Sequence, residues 1–257
     1  MTTSSPQVAV VTGANSGIGR ATALHLAQQG YRVFGTVRSI EKAGKLQSRA
    51  TELGIIVELI EMDVADDASV QRGFADIFRT TDRVDVLVNN AGIGGNGVVE
   101  ESTPQMYHDA FNVNVVGAIR CTQQVLPNMR ARKSGTIVNI TSVVGKFAAV
   151  AQAPYVASKW AFEGVSEELA QEVAPFGIRV VIIEPGVTKS SIFAKNIDAP
   201  NQSGAYDAHY RRMFAFYAAG MSNATPAEEV GALIHHAITT DTPQLRYACS
   251  WAGPAIV

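Results

Sequence analysis

A chain of 257 residues is long enough for one α/β domain with a sizeable core. Its 47% hydrophobic and 17% charged residues are ordinary for a globular protein, and a formal charge of -2 gives no basic field to hold nucleic acid or an anionic membrane. Cys121 and Cys249 make no disulfide framework and no metal-ligand spacing, so a reducing compartment is expected. Met1 to Gln7 lacks the basic and apolar regions of a signal peptide, and no apolar run approaches the roughly 20 residues of a membrane span. The expectation is a soluble, cytoplasmic protein with no integral membrane segment.

Short runs rich in Val and Ile recur along the chain at Val8 to Val11, Val33 to Val37, Ile55 to Ile60, Val84 to Val88, Thr136 to Ile140, Val180 to Ile183 and Leu245 to Ala248. They are nearly continuous rather than alternating, as strands buried on both faces are. Helical patterns separate them at Ala21 to Gln29, Glu41 to Leu53, Ser69 to Phe78, Met106 to Met129, Tyr155 to Glu172 and Ala227 to Ile238. Thr103-Pro104 and Thr225-Pro226 place a capping hydroxyl before a first-turn proline, and Glu228 completes a capping box with Thr225. The alternation predicts a Rossmann-type doubly wound α/β fold, a mostly seven-stranded parallel sheet with helices on both faces, in one domain over residues 1–257. Val187 to Asn223 breaks the regularity and is expected to be a substrate lid over the carboxyl edge of the sheet.

The first strand runs into Thr12-Gly13-Ala14-Asn15-Ser16-Gly17-Ile18-Gly19 and then a helix. Glycines at such a turn let backbone N–H groups approach a pyrophosphate seated at the positive end of the helix. Asp63-Val64 follows the third strand, Asn89-Asn90-Ala91-Gly92 the fourth and Pro185-Gly186 the sixth. Asn114 lies within Asn112-Val113-Asn114-Val115, and Ser142 precedes Tyr155-Val156-Ala157-Ser158-Lys159 by thirteen residues. In this order the motifs resemble the short-chain dehydrogenase/reductase family from Val8 to about Cys249. Phe111 to Arg120 and Phe162 to Pro185 look most like its branch of 17β-hydroxysteroid and retinol dehydrogenases.

Oxidising an alcohol removes a hydroxyl proton while a hydride leaves carbon, and a free tyrosine, with a pKa near 10, is a poor base at neutral pH. Lys159, one helical turn after Tyr155, supplies a positive charge that, with that of oxidised nicotinamide, favours tyrosinate and lowers its pKa, and Ser142 can bond the reacting oxygen. The resemblance implies that Lys159 also holds the nicotinamide ribose and that Asn114 holds a water leading to a proton relay. It implies that Asp63 and Val64 flank adenine and that Asn90, Ala91 and Gly92 line the adenosine ribose side. It also implies that Pro185, Gly186, Val187 and Thr188 frame the nicotinamide, with Thr188 or Ser190 near its carboxamide. Gly13, Asn15, Ser16, Gly17, Ile18 and Gly19 are the phosphate-binding residues.

The second strand ends at Val37, where members of the family specific for NAD carry an acidic residue. Arg38 follows and can pair with a 2′-phosphate, and Ser39 adds a hydroxyl. The expected cofactor is NADP(H), with NAD(H) as the alternative. The apolar run Val143 to Val150 and the aromatic spacing Tyr206, Tyr210, Phe214, Tyr217 point to a lipophilic alcohol or ketone as substrate. The resemblance further implies a homodimer or homotetramer paired through Met106 to Met129 and Tyr155 to Glu172, with Val165 and Leu169 extending an apolar face. The rival reading is an NAD(P)H-binding regulatory protein without significant turnover.

Overall fold

Side chains of a strand alternate between the two faces of a sheet, so a run apolar throughout has two cores to fill. In the computed structural model, which describes residues 5–190 and 200–256, the strands do this. They are β1 (Val8–Val11), β2 (Arg32–Val37), β3 (Val57–Glu61), β4 (Val86–Asn89), β5 (Gly135–Ile140), β6 (Ile178–Pro185) and β7 (Arg246–Cys249). They form one parallel sheet in the order β3-β2-β1-β4-β5-β6-β7. Ala9, Val11, Val88, Val138 and Ile183 face a core shared with Leu26 of α1 (Gly17–Gln28), Leu46 of α2 (Gly44–Glu52) and Ile234 on a later helix. Val8, Val10, Leu87, Ile137 and Val180 face the other core, with Phe74 of α3 (Asp67–Phe78) and residues of the two helices that follow β4 and β5.

Strand order reverses between β1 and β4, so the helices that follow these strands pack on opposite faces of the sheet and a crevice opens at the carboxyl edge. The long helix expected at Met106 to Met129 runs further in both directions and is interrupted. It comprises α4 (Pro104–Phe111), a π-turn over Asn112–Val116 and α5 (Gly117–Arg132). Thr103 caps α4, its hydroxyl accepting from Met106 N at 3.3 Å. The remaining helices are α6 (Ala153–Val173), α7 (Asp207–Ser222), α8 (Ala227–Thr239) and the short α9 (Gly253–Ile256). No helix among the described residues is long and apolar enough to cross a membrane.

Several expectations need correction. The third strand starts at Val57 rather than Ile55, because Ile55 N closes the end of α2 on Ala50 O and Ile56 is 78% exposed. Thr225 does not cap α8. Its hydroxyl accepts from Trp251 N at 2.9 Å instead, tying the C-terminal segment to the start of the helix. Leu169 belongs to the core beneath α6 and offers no outward face. In the expected lid, residues 191–199 lie outside the described residues, and the rest carries α7, more regular than its sequence indicates. Tyr206, Tyr210 and Tyr217 pack inward with Met213 and Val98, whereas Phe214 is exposed. The Tyr210 hydroxyl bonds Pro200 O and accepts from Val98 N at 3.2 Å, and Tyr217 donates to Asn96 Oδ1 at 3.0 Å. These bonds seat α7 on the segment that leaves β4.

Candidate active site

Close approach of two backbones sets one end of the site. Gly13 and Gly17 have φ of +66° and +54°, which glycine adopts without strain. A Cβ on Gly13 would lie 2.9 Å from Ala91 Cα, and one on Gly19 would collide with Asn90 Nδ2 and lie 2.5 Å from Gly13 O. Thr12, a residue the motif reading passed over, locks this contact. Its hydroxyl accepts from Asn90 N and Ala91 N, both at 2.9 Å, while Asn90 Nδ2 donates to Thr12 O at 2.8 Å. Helix α1 begins above it with no side-chain cap on its first turn and no acidic residue there. Its leading N–H groups and its dipole are suited to an anion.

From this turn a cavity of about 880 Å³ runs along the carboxyl edge of the sheet. Asn15, Ser16, Gly17 and Ile18 line it with Gly13, while Gly19 stays behind the turn as the residue that permits the packing. Arg38 and Ser39 close one end, joined by Asp63 and Val64; Asn90, Ala91 and Gly92 line the middle. Pro185, Gly186, Val187, Thr188 and Ser190 reach it from β6. The Thr188 hydroxyl is engaged with Ser250 Oγ at 2.7 Å, which leaves Ser190, beside Gly17, as the hydroxyl better placed to meet a ligand.

Ser142, Tyr155 and Lys159 meet in the same cavity. Ser142, two residues past the end of β5, donates to Pro185 O at 3.3 Å and so holds the exit of β5 against the end of β6. Pro154 occupies the first turn of α6 and Tyr155 follows it, so the phenol emerges where the helix starts. One turn on, Lys159 is only 6% exposed. Its Nζ donates to Ile140 O at 2.9 Å and lies 5.7 Å from the centre of the Tyr155 ring. Burial pulls the ammonium down to about 8, opposed by the Glu163 carboxylate. Burial pushes the Tyr155 phenol above its ordinary value, and its hydrogen bond with Ser142 acts in the opposite direction. The protein alone therefore raises the phenol, while the lowering expected from the sequence drew also on the charge of oxidised nicotinamide.

Asn114 sits on the π-turn and does not line the cavity. Its side chain is fully engaged: Oδ1 accepts from Ile93 N at 2.8 Å, and Nδ2 donates to Ile93 O and Ser158 Oγ, both at 2.9 Å. Ser158 in turn donates to Tyr155 O at 2.7 Å. The amide thus fixes the Gly92 segment against α6, with both of its N–H donors committed.

Other lining residues were not singled out from the sequence. Lys42 joins Arg38 and Ser39; it lies four residues beyond Arg38, a spacing that would have marked it. At the opposite end Asn96, Phe147, Gln152, Phe216, Tyr217 and Trp251 form a largely aromatic wall with three polar groups. Trp251 carries no motif: it arrives through the Thr225 bond and through Val187 N, which donates to Trp251 O at 3.2 Å.

The family described as short chain dehydrogenase matches residues 7–201. The 17-beta-hydroxysteroid dehydrogenase type 1 of Mus musculus is 37% identical over 255 residues, covering 94% of this chain and 73% of its own. A short-chain dehydrogenase from Streptomyces avermitilis superimposes with a TM-score of 0.87 at 35% identity, over 100% of this chain and 92% of its own. An actinorhodin polyketide ketoreductase with NADPH gives 0.80 at 31% identity, over 93% of this chain and 92% of its own.

The glycine turn yields a direct test. Gly19→Ala overpacks the contact with Asn90 and Gly13 and is expected to destabilise the protein by about 1–3 kcal/mol and to weaken dinucleotide binding. Gly44→Ala, whose added Cβ meets nothing within 4 Å, should stay within about 0.5 kcal/mol of the parent. Urea unfolding and fluorescence titration with NADPH measure both; equal behaviour of the two variants contradicts the packing argument.

Proposed function

On the premise that this chain belongs to the short-chain dehydrogenase/reductase family, as an oxidoreductase of CH–OH and C=O groups, we propose that it moves a hydride between NADP(H) and a lipophilic alcohol or ketone. The observation that carries this reading is the convergence of Tyr155, Ser142 and Lys159 on one cavity whose other end is an anion-binding glycine turn. Gly13, Asn15, Ser16, Gly17 and Ile18 would hold the pyrophosphate, Asp63 and Val64 the adenine, and Pro185 to Val187 with Ser190 the nicotinamide. When bound, the nicotinamide supplies or accepts the hydride.

In reduction, Tyr155 donates its phenolic proton to the carbonyl oxygen as charge develops there, and the Ser142 hydroxyl turns from Pro185 O to bond the same oxygen. In oxidation Tyr155 takes the proton back. Lys159 stabilises the phenolate form, and Asn114 positions the backbone around Tyr155 through Ser158. A regulator that merely binds the dinucleotide has no use for a phenol beside a buried ammonium, which supports turnover. Segment 187–223 serves as the lid, with the aromatic wall of Phe147, Phe216, Tyr217 and Trp251 suited to a lipophilic substrate.

Tyr155→Phe removes the phenolic proton alone. It is expected to keep cofactor affinity and to lower turnover by roughly 100- to 10,000-fold, measured by NADPH depletion with ketones and aldehydes as substrates. Turnover within a few-fold of the parent would remove Tyr155 from the reaction.

Preference for NADPH rests on Arg38 and Lys42 at the cavity end, neither of which is ion-paired among the described residues, and on Val37 in place of a repelling carboxylate. A charge-assisted hydrogen bond contributes roughly 1.5–3 kcal/mol, and about 1.4 kcal/mol is tenfold. About ten- to hundredfold preference in kcat/KM follows. It should fall in Arg38→Ala, disappear in Arg38→Ala with Lys42→Ala, and reverse in Val37→Asp with Arg38→Ala. Equal efficiency with NADH and NADPH in the parent contradicts the assignment.

A homodimer or homotetramer is the expected assembly. Val116 on the π-turn and Trp160 on α6, the latter 51% exposed, border the apolar cluster of Phe111, Ile119, Ala161 and Val165. Sedimentation of the parent at micromolar concentration should show the oligomer, and Trp160→Glu should shift it toward monomer; a monomeric parent contradicts the proposal.

A further inference from the structure

Near Lys159, outside the lining of the cavity, the fold buries two carboxyl groups that approach the same guanidinium nitrogen. Glu163 lies one turn further along α6 and is 5% exposed; Glu184, the residue before Pro185 on β6, is 0% exposed. Both are drawn to Arg246 on β7, whose Nε lies 3.0 Å from Glu163 Oε2 and 3.4 Å from Glu184 Oε1. Only the first contact is a hydrogen bond. The other end of the guanidinium is committed to Glu167 at 2.7 Å, and Lys146 stands 3.8 Å from Glu163 Oε2. Three oxygens are then without a hydrogen-bond partner: both of Glu184, and Oε1 of Glu163.

An ionised carboxylate cut off from water with no donor on either oxygen is among the costliest arrangements a protein can hold. Protonation removes the charge and turns Glu184 into a donor, and the vacant oxygen of Glu163 is an acceptor in want of one. A proton shared by the pair would give partners to two of these three oxygens, and it matches the one Nε to which both acids are drawn. We propose that Glu184 is a neutral carboxylic acid at neutral pH, sharing its proton with Glu163, and that the resulting single negative charge makes Glu163 a positioning residue that keeps Lys159 protonated. Glu163 follows Lys159 by one turn on the same face of α6, both side chains are buried, and its charge acts on the ammonium.

The charged and titratable groups facing the pair are Glu167 and Lys159 from α6, Arg246 and Cys249 from β7, and Lys146 from the turn after β5. Burial first and the Glu163 charge second push Glu184 upward, against the pull of Lys146 and Arg246. For Lys159 the sign is opposite: burial lowers it and Glu163 raises it. With Glu163 neutral the ammonium would lose its opposing charge and release its proton at lower pH. The inference rests on the proposed role of Lys159 for its meaning in catalysis, but its test needs no substrate.

Two variants of the full chain decide it. Glu184→Gln mimics the neutral acid. Its infrared difference spectrum against the parent at neutral pH should show loss of a protonated-carboxyl C=O band, with the melting temperature little changed. The titration of Lys159 is read from the pH dependence of its acetylation by trace acetic anhydride, followed by mass spectrometry of its peptide. In Glu163→Gln that titration should move to lower pH by about one unit; in Glu184→Gln it should stay in place. A difference spectrum that shows loss of only carboxylate bands, or a Lys159 titration unmoved in Glu163→Gln, overturns the proposal. Failure of every ketone and aldehyde to be reduced would instead refute the proposed function and leave these two results standing.

Discussion

An ammonium group taken out of water must be compensated, and at Lys159 the compensation also organises the site. Its hydrogen bond to Ile140 O ties the middle of α6 to the end of β5. The faces of Tyr155 and Phe162, with ring centres 5.7 and 5.6 Å from Nζ, close around it. Because Ile140 precedes Ser142 by two residues and Tyr155 precedes Lys159 by one turn, fixing the lysine brings the hydroxyl and the phenol into the same cavity. Removing the charge would loosen the junction of α6 with the strand ends, and so the positions of Ser142 and Tyr155.

A parallel sheet makes this junction accessible. All seven strands finish on one edge, and the reversal of order between β1 and β4 sends the helices that follow them to opposite faces. The glycine turn after β1 and the Asn90 segment after β4 then come together through Thr12, at a separation that any Cβ on Gly13 or Gly19 would prevent. One end of the cavity thus offers backbone N–H groups to an anion while the other offers a proton donor at the foot of an aromatic wall. Buried polar links extend the arrangement inward. Asn89 donates to Thr122 and Asn139, and Asn139 donates to Ser166, so β4 and β5 are tied to α5 and α6.

Periodicity and motif order made the sheet, its helices and most of the cavity legible in the sequence. Val8 to Val11 and Thr136 to Ile140 read as buried strands because both faces of the sheet are covered. What escaped was decided by long-range contact. Thr225-Pro226 has the local form of a cap, yet the hydroxyl is taken by Trp251, a residue 26 positions away. The contacts of Asn114 with Ile93 and Ser158, which commit both donors of its amide, are likewise revealed by no spacing. Lys42 was within reach of the sequence, four residues after Arg38 in the segment that leaves β2. The effect of burial on Tyr155 was not, since Lys159 and Tyr155 on one helical face say nothing of how much water the fold removes.

That last point defines the account. The protein alone raises the Tyr155 phenol, so a working base at neutral pH requires a further positive charge beside it, which the oxidised nicotinamide ring carries and the reduced ring does not. The decisive measurement is a tyrosinate absorbance titration of the parent minus Tyr155→Phe, run alone, with NADP+ and with NADPH. The account predicts a Tyr155 titration above the ordinary range for the free protein and for the NADPH complex, moved to lower pH by NADP+. A titration unmoved by NADP+, or lowered equally by both forms, would contradict it.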